Sequence, residues 1–116
     1  MSDCIFCKII AGQINSKKVY EDSNIFSFYD ASPVAEVHVI VVPKKHIDSL
    51  KHMANEDINL VGNLNFVIPK IAHTLGLTNG FKTIINTGKE GGQNIYHLHY
   101  HILGGKFTKK DPFKYT

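Results

Sequence analysis

Residues 97–101 read His97-Leu98-His99-Tyr100-His101, followed directly by Ile102-Leu103-Gly104-Gly105. Three of the chain's seven histidines therefore alternate without a break. In an extended strand, residues i, i+2 and i+4 point to one face. The spacing predicts three imidazoles in a row on a sheet surface. Such a row is a poor filler, because protonated neighbours repel. It suits metal ligation, or nucleophilic and acid–base work by a ring whose ordinary pKa is about 6.5. Leu98, Tyr100 and Ile102 would form an apolar opposite face, so the strand reads as part of a packed sheet.

Two further segments carry chemistry. The only cysteines form Cys4-Ile5-Phe6-Cys7, a C-x-x-C pair. In a reducing compartment such a pair is more often half of a metal site, or a redox pair, than a structural disulfide. No thioredoxin-like βαβ pattern surrounds it, which argues against redox catalysis. The second segment, Gly88-Lys89-Glu90-Gly91-Gly92-Gln93-Asn94, lies immediately before the histidines. Glycines let backbone N–H groups ring an anion. The segment lacks the G-x-x-x-x-G-K-[ST] pattern of a P-loop. Beside three histidines it is expected to cradle a phosphate.

These groups need a frame. Cys4 to Ala11 reads as a short helix ended by Gly12 at C′. Lys18–Glu21 reads as a brief strand. Asn24–Asp30 alternates as a second, with Phe26, Phe28 and Asp30 on one face. His38–Pro43 is β-rich and ends at a proline that cannot donate to a ladder. Asn55 to about Leu75 reads as one long helix, with Asn55 as N-cap and an apolar stripe including Leu60, Leu64, Val67, Ile68 and Ile71. Pro69 should kink it near residues 65–69. Phe81–Asn86 is expected as a strand, and residues 106–116 as a polar tail. The order predicts one α+β domain over residues 1–116. It would hold an antiparallel sheet of about five strands, with a long and a short helix to one side.

The totals set bounds. The chain has 116 residues, a hydrophobic share of 43% and a net charge of +3. That mild charge gives little support for nucleic-acid binding and suits a small anion equally well. The longest apolar run, Val39–Pro43, is far short of a membrane span. The start, Met1-Ser2-Asp3-Cys4, has no charged-then-apolar leader, so a cytoplasmic protein is expected. His52 and His73 are expected at the surface.

The H-x-H-x-H run with its following Gly104-Gly105 resembles the histidine-triad (HIT) family of nucleotide-binding hydrolases and transferases. Further matching segments are Cys4–Ile10, Phe28-Tyr29-Asp30, His38–His46, Ile85-Asn86-Thr87-Gly88 and Gly91–Gly105. Together they cover nearly the whole chain and look most like the Hint branch, the nucleoside phosphoramidases. The resemblance implies a HIT-like fold and a nucleophile at His99. His99 would attack the α-phosphate of a purine nucleoside monophosphate derivative, forming a nucleotidyl-histidine that water hydrolyses. His38 and His101 would supply hydrogen bonds around it. Asn86 and the backbone of Gly92, Gln93 and Asn94 would hold phosphate oxygens, and Asp30 the ribose hydroxyls. Phe6, Ile9, Phe28 and Ile40, with Ala31 beside Asp30, would receive the base. Alternative readings are a dinucleoside polyphosphate hydrolase, or a zinc-stabilised module that binds nucleotides without turnover.

The same resemblance implies a structural Zn²⁺ on Cys4, Cys7, His46 and His97, with no cofactor for catalysis. A Cys₂His₂ set is right for a closed tetrahedral zinc. It also implies a homodimer with helix packed on helix. The apolar excess of Leu60, Leu64, Phe66, Val67 and Ile68 points the same way. No nucleic-acid or membrane partner is expected. One position departs: Asn94 stands where many Hint proteins carry a serine. An amide donates a hydrogen bond but is no acid, so the departure bears on the leaving group and leaves the nucleophile untouched.

Overall fold

The computed structural model describes residues 3–108. The elements are α1 (Ile5–Ile10), β1 (Lys18–Glu21), β2 (Ile25–Tyr29), β3 (Ala35–Pro43), α2 (Ile58–Thr74), β4 (Lys82–Ile84) and β5 (Tyr100–Phe107). Single 3₁₀ turns at Leu50–His52 and Asn55–Asp57 lead into α2. All five strands form one antiparallel sheet in the order β1-β2-β3-β5-β4. The expected α+β architecture holds, with one correction. The helices do not share a side.

Strand alternation explains why. Odd residues of β3, Val39 and Val41, pack with Ile25, Leu98, Tyr100 and Ile102 against Val61, Leu64, Ile68 and Ile71 of α2. Even residues, Ile40 and Val42, pack with Phe26 and Phe28 against Phe6 and Ile9 of α1. Both faces of the central strands are thus covered, and β2 is buried on both. Even Ser27, fully buried, donates its hydroxyl to the Ile40 carbonyl at 2.9 Å.

Gly12 closes α1 as expected. Its φ of +79° lets the Gly12 N–H reach the Ile9 carbonyl and the Gln13 N–H reach Lys8. At α2 the start differs. Asn55 opens a 3₁₀ turn and is not the N-cap. The Asp57 carboxylate accepts from the Ala54 N–H instead, at 2.9 Å. The helix then runs as a single element through Pro69. Leu64 and Ile68 are consumed by the chain's own core, and Leu60 and Val67 pack partly against it. The apolar excess of α2 therefore reduces to Ile58 and Phe66, which are 62% and 82% exposed.

Three boundaries also differ. β4 is only Lys82–Ile84, since β5 offers it just three partners. Lys106 and Phe107 belong to β5, while residues 109–116 of the expected tail lie outside the described residues. His97 and His99 precede β5, which begins at Tyr100. The approach segment keeps the alternation even so, because Leu98 is held to Ile47 by its N–H (2.6 Å) and faces α2.

Candidate active site and metal centre

α1 brings the N-terminal chemistry to the histidine face. The Phe6 ring meets His99, His97 and Phe28 edge-on, at centroid distances of 5.0, 5.9 and 5.6 Å. It separates two distinct groups of histidines.

On one side of Phe6 lie Cys4, Cys7, His46 and His97, whose ligand atoms all fall within 4.8 Å of one another. The Cys4 Sγ is 3.3 Å from His97 Nδ1, and the Cys7 Sγ is 3.4 Å from His46 Nδ1 and 3.6 Å from His97 Nδ1. Tetrahedral zinc with ordinary Zn–S and Zn–N bonds sets sulfur and nitrogen roughly 3.6 Å apart. The far ring nitrogens are engaged as metal-bound histidines require. His97 Nε2 donates to the Pro43 carbonyl at 2.8 Å, and His46 Nε2 to Asp48 at 2.7 Å. Both Nδ1 lone pairs then face the thiols. Burial above all pulls His97 down to about 4, so it is neutral, as a ligand must be. The four side chains could hold a metal ion.

On the other side lie His38, His99 and His101, and their tautomers follow from their partners. His99 Nδ1 donates to the His97 carbonyl at 2.8 Å, which leaves the Nε2 lone pair unengaged. His38 Nδ1 accepts the Val34 N–H at 3.1 Å, so the His38 proton sits on Nε2. That proton is directed at His101 Nδ1, 2.9 Å away, with the Asp30 carboxylate at 3.3 Å as a second acceptor. The His101 proton is therefore on Nε2. All three rings are held below their ordinary pKa by burial. His101 falls to about 4, with repulsion from the other two histidines adding to burial. At neutral pH the group presents one lone pair, on His99, and one donor, on His101.

A hollow of about 280 Å³ opens onto these two rings. Its wall contains Phe6, Ile9, Phe28, Asp30, Ala31, Ile40, Asn86, Gly92 and Asn94, all expected from sequence, together with Ile5 and Ile95. The last two were not expected. Ile5 is legible as one of the two residues inside the C-x-x-C pair, beside Phe6 on the same helix. Ile95 carried no signal.

Three expected residues sit differently. His38 is one layer behind the wall and reaches the hollow only through His101. Gln93 is buried beneath the glycine loop, where it clamps the Gly88 N–H and the carbonyls of Asp48 and Ile95. The anion cradle is also smaller than expected. The Gly92 N–H is taken by the Lys89 carbonyl and the Gln93 N–H by Gly88, because the loop closes as tight turns with Gly92 at φ +77°. Of the three expected backbone donors, only the Asn94 N–H has no partner among the described residues. Asn86 gives one amide proton to the Gly91 carbonyl at 2.7 Å and keeps the other. His52 and His73 are at the surface, as expected.

Comparisons agree with this geometry. A family model described as "Scavenger mRNA decapping enzyme C-term binding" matches residues 3–112. Protein HitA of Neisseria gonorrhoeae is 51% identical over 104 residues, covering 90% of this chain and 97% of that protein. A histidine triad protein from Clostridium difficile superposes with a TM-score of 0.90 at 48% identity, covering 98% of each chain. A HIT family hydrolase from Legionella pneumophila gives 0.87 at 38% identity, covering 95% of this chain and 99% of that one. A histidine triad nucleotide-binding protein from Candida albicans gives 0.79 at 30% identity, covering 94% and 85%.

The tautomers are directly measurable. Long-range ¹H–¹⁵N spectra at neutral pH are expected to show His99 protonated on Nδ1, and His38 and His101 on Nε2. An Nε2-protonated His99 would remove the lone pair from the hollow and overturn the assignment.

Proposed function

The chain belongs to the histidine-triad family, and from that premise we propose that it is a hydrolase of purine nucleoside 5′-phosphoramidates working through His99. The observation that carries this reading is the free His99 Nε2 lone pair on the wall of a hollow whose other residues suit a nucleotide. Phe6, Ile9, Phe28 and Ile40 supply an apolar slot for the base, and the partly exposed Asp30 accepts from the ribose. The Asn94 N–H, the second Asn86 amide proton and His101 Nε2–H then meet the phosphate oxygens.

In the first step His99 Nε2 forms a bond to the α-phosphorus and the P–N bond breaks. The departing nitrogen takes up one proton. Asn94 is no acid, so that proton comes from solvent. The Nδ1–H bond to the His97 carbonyl steadies the ring as charge builds on it. Water then attacks the nucleotidyl-histidine, breaking the P–Nε2 bond and releasing a proton, the nucleoside monophosphate and free His99. The sum is one P–N bond hydrolysed by one water. His38 acts as a positioning residue, since it touches the hollow only through His101.

Two assembly features belong to the same proposal. Cys4, Cys7, His46 and His97 would hold a structural Zn²⁺ that fastens α1, and with it Phe6, to the sheet. Burial first, and then the neighbouring Cys4 thiol, raise the Cys7 thiol above its ordinary value, and a bound divalent cation would reverse that. Ile58 and Phe66 stand one face apart from the core on α2, with Gly62 open between them, and would pack on the same face of a second copy. Among the described residues no helix is long and apolar enough to cross a membrane. The unbridged cysteines suit a cytoplasmic setting.

Wild type is expected to hydrolyse adenosine 5′-phosphoramidate, and His99→Ala to lose roughly a thousandfold or more of that rate. A folded wild type that binds AMP without turnover or adduct would instead make it a binding module. Metal analysis should find about one zinc per chain, lost in Cys4→Ser together with a fall in melting temperature. Retention of zinc in that variant would sink the ligand set. Sedimentation should give a dimer for wild type and a monomer for Phe66→Glu. Monomeric wild type would remove the α2 interface.

A further inference from the structure

The first hollow, at about 280 Å³, is at the small end of ligand pockets, and on the reading above it takes the nucleoside monophosphate. Beside it lies a larger one of about 510 Å³, lined by Asp3, Cys4, Ile5, His46, Asn94, Ile95 and Tyr96. The two share Ile5, Asn94 and Ile95, so they meet along that wall. Neither His99 nor His101 lines the second hollow.

That placement suits the other half of a substrate. In-line displacement sets the leaving group on the far side of phosphorus from the nucleophile. A phosphorus held by the Asn94 N–H, with His99 behind it, directs its leaving group past Asn94 and away from both histidines.

The polar groups of the second hollow sort into two sets. Those of Cys4 and His46 are engaged with His97, Cys7 and Asp48. The side chains of Asp3, Asn94 and Tyr96 have no partner among the described residues. Among the described residues Asp3 is the one carboxylate of the lining, and it lines the second hollow and not the first. Ile5 and Tyr96, 42% and 45% exposed, and the part-buried Ile95 give apolar flanks between.

We propose that the second hollow receives the leaving group, and that it selects an amine whose aliphatic chain ends in a cation. The chain would lie along Ile5, Ile95 and Tyr96, and the cation would meet Asp3. This rests on the phosphoramidase reading above and adds the class of amine to it. Asp3 and Tyr96 are specificity residues here, with no part in the chemistry at phosphorus.

The test compares kcat/KM for three adenosine 5′-phosphoramidates, built on ammonia, pentylamine and cadaverine. Wild type should favour cadaverine over pentylamine by about threefold, the modest scale of an exposed ion pair. Asp3→Asn should abolish that preference and Asp3→Lys reverse it, with bound metal and the rate on the ammonia compound unchanged. Tyr96→Ala should slow both alkyl compounds and spare the ammonia compound. A cadaverine preference that is absent, or that survives both Asp3 variants, would overturn the proposal while leaving the phosphoramidase reading intact. No turnover of any of the three would overturn both.

Discussion

The site depends on the seating of a six-residue helix against a sheet. α1 is too short to be stable alone, because helix nucleation is unfavourable and a few hydrogen bonds do not repay it. It is held by what it buries and what it ties. Phe6 and Ile9 fill the hollow above Phe26, Phe28, Ile40 and Val42, and Cys4 and Cys7 converge on His46 and His97. Lift α1 and the hollow at His99 and His101 loses a wall, the His99 ring loses the edge contact that packs it, and the second hollow loses Ile5.

This arrangement divides the alternating histidines between two groups. Side chains of one alternating set share a face, yet each meets a different neighbour. His97 is the deepest and turns toward the thiols. His99 turns its Nδ1 back onto the His97 carbonyl, one residue beyond its nearest neighbour in sequence. His101, already in β5, meets His38 across the β3–β5 ladder. The backbone N–H of Val34 sets the tautomer of His38, and through it that of His101. A main-chain donor in a loop thus decides which nitrogen faces the hollow, two rings away. Desolvation keeps all three rings neutral, the protonation state that leaves one free lone pair and one donor facing the hollow.

Much of this was legible beforehand. The alternation of Leu98, Tyr100 and Ile102 against the histidines assigned both faces correctly, although β5 starts later than the pattern does. Phe28 and Asp30 fell on one face because strand period is fixed at two residues. The two-sided cover of β3 is also written there, as an apolar run without alternation, although the order of elements alone suggests helices on one side. The glycine loop misled more deeply. Its composition says that N–H groups are able to converge on an anion, not whether turns already engage them.

The sequence by itself determined the fold class, the family and which side chains gather at the candidate site, because those follow from residue type and from periodicities that local geometry enforces. The tertiary structure decided which nitrogen of each ring is free, which loop donors remain, and that Gln93 and His38 stand behind the wall. It also decided that a second hollow meets the first at Asn94. These depend on hydrogen-bond partners and packing neighbours far apart in the chain, such as Val34 with His38 and then His101, or Cys4 with His97. No local spacing encodes which of several possible partners a buried polar group will meet. Only the folded chain makes that choice, since each buried donor and acceptor must be satisfied at once.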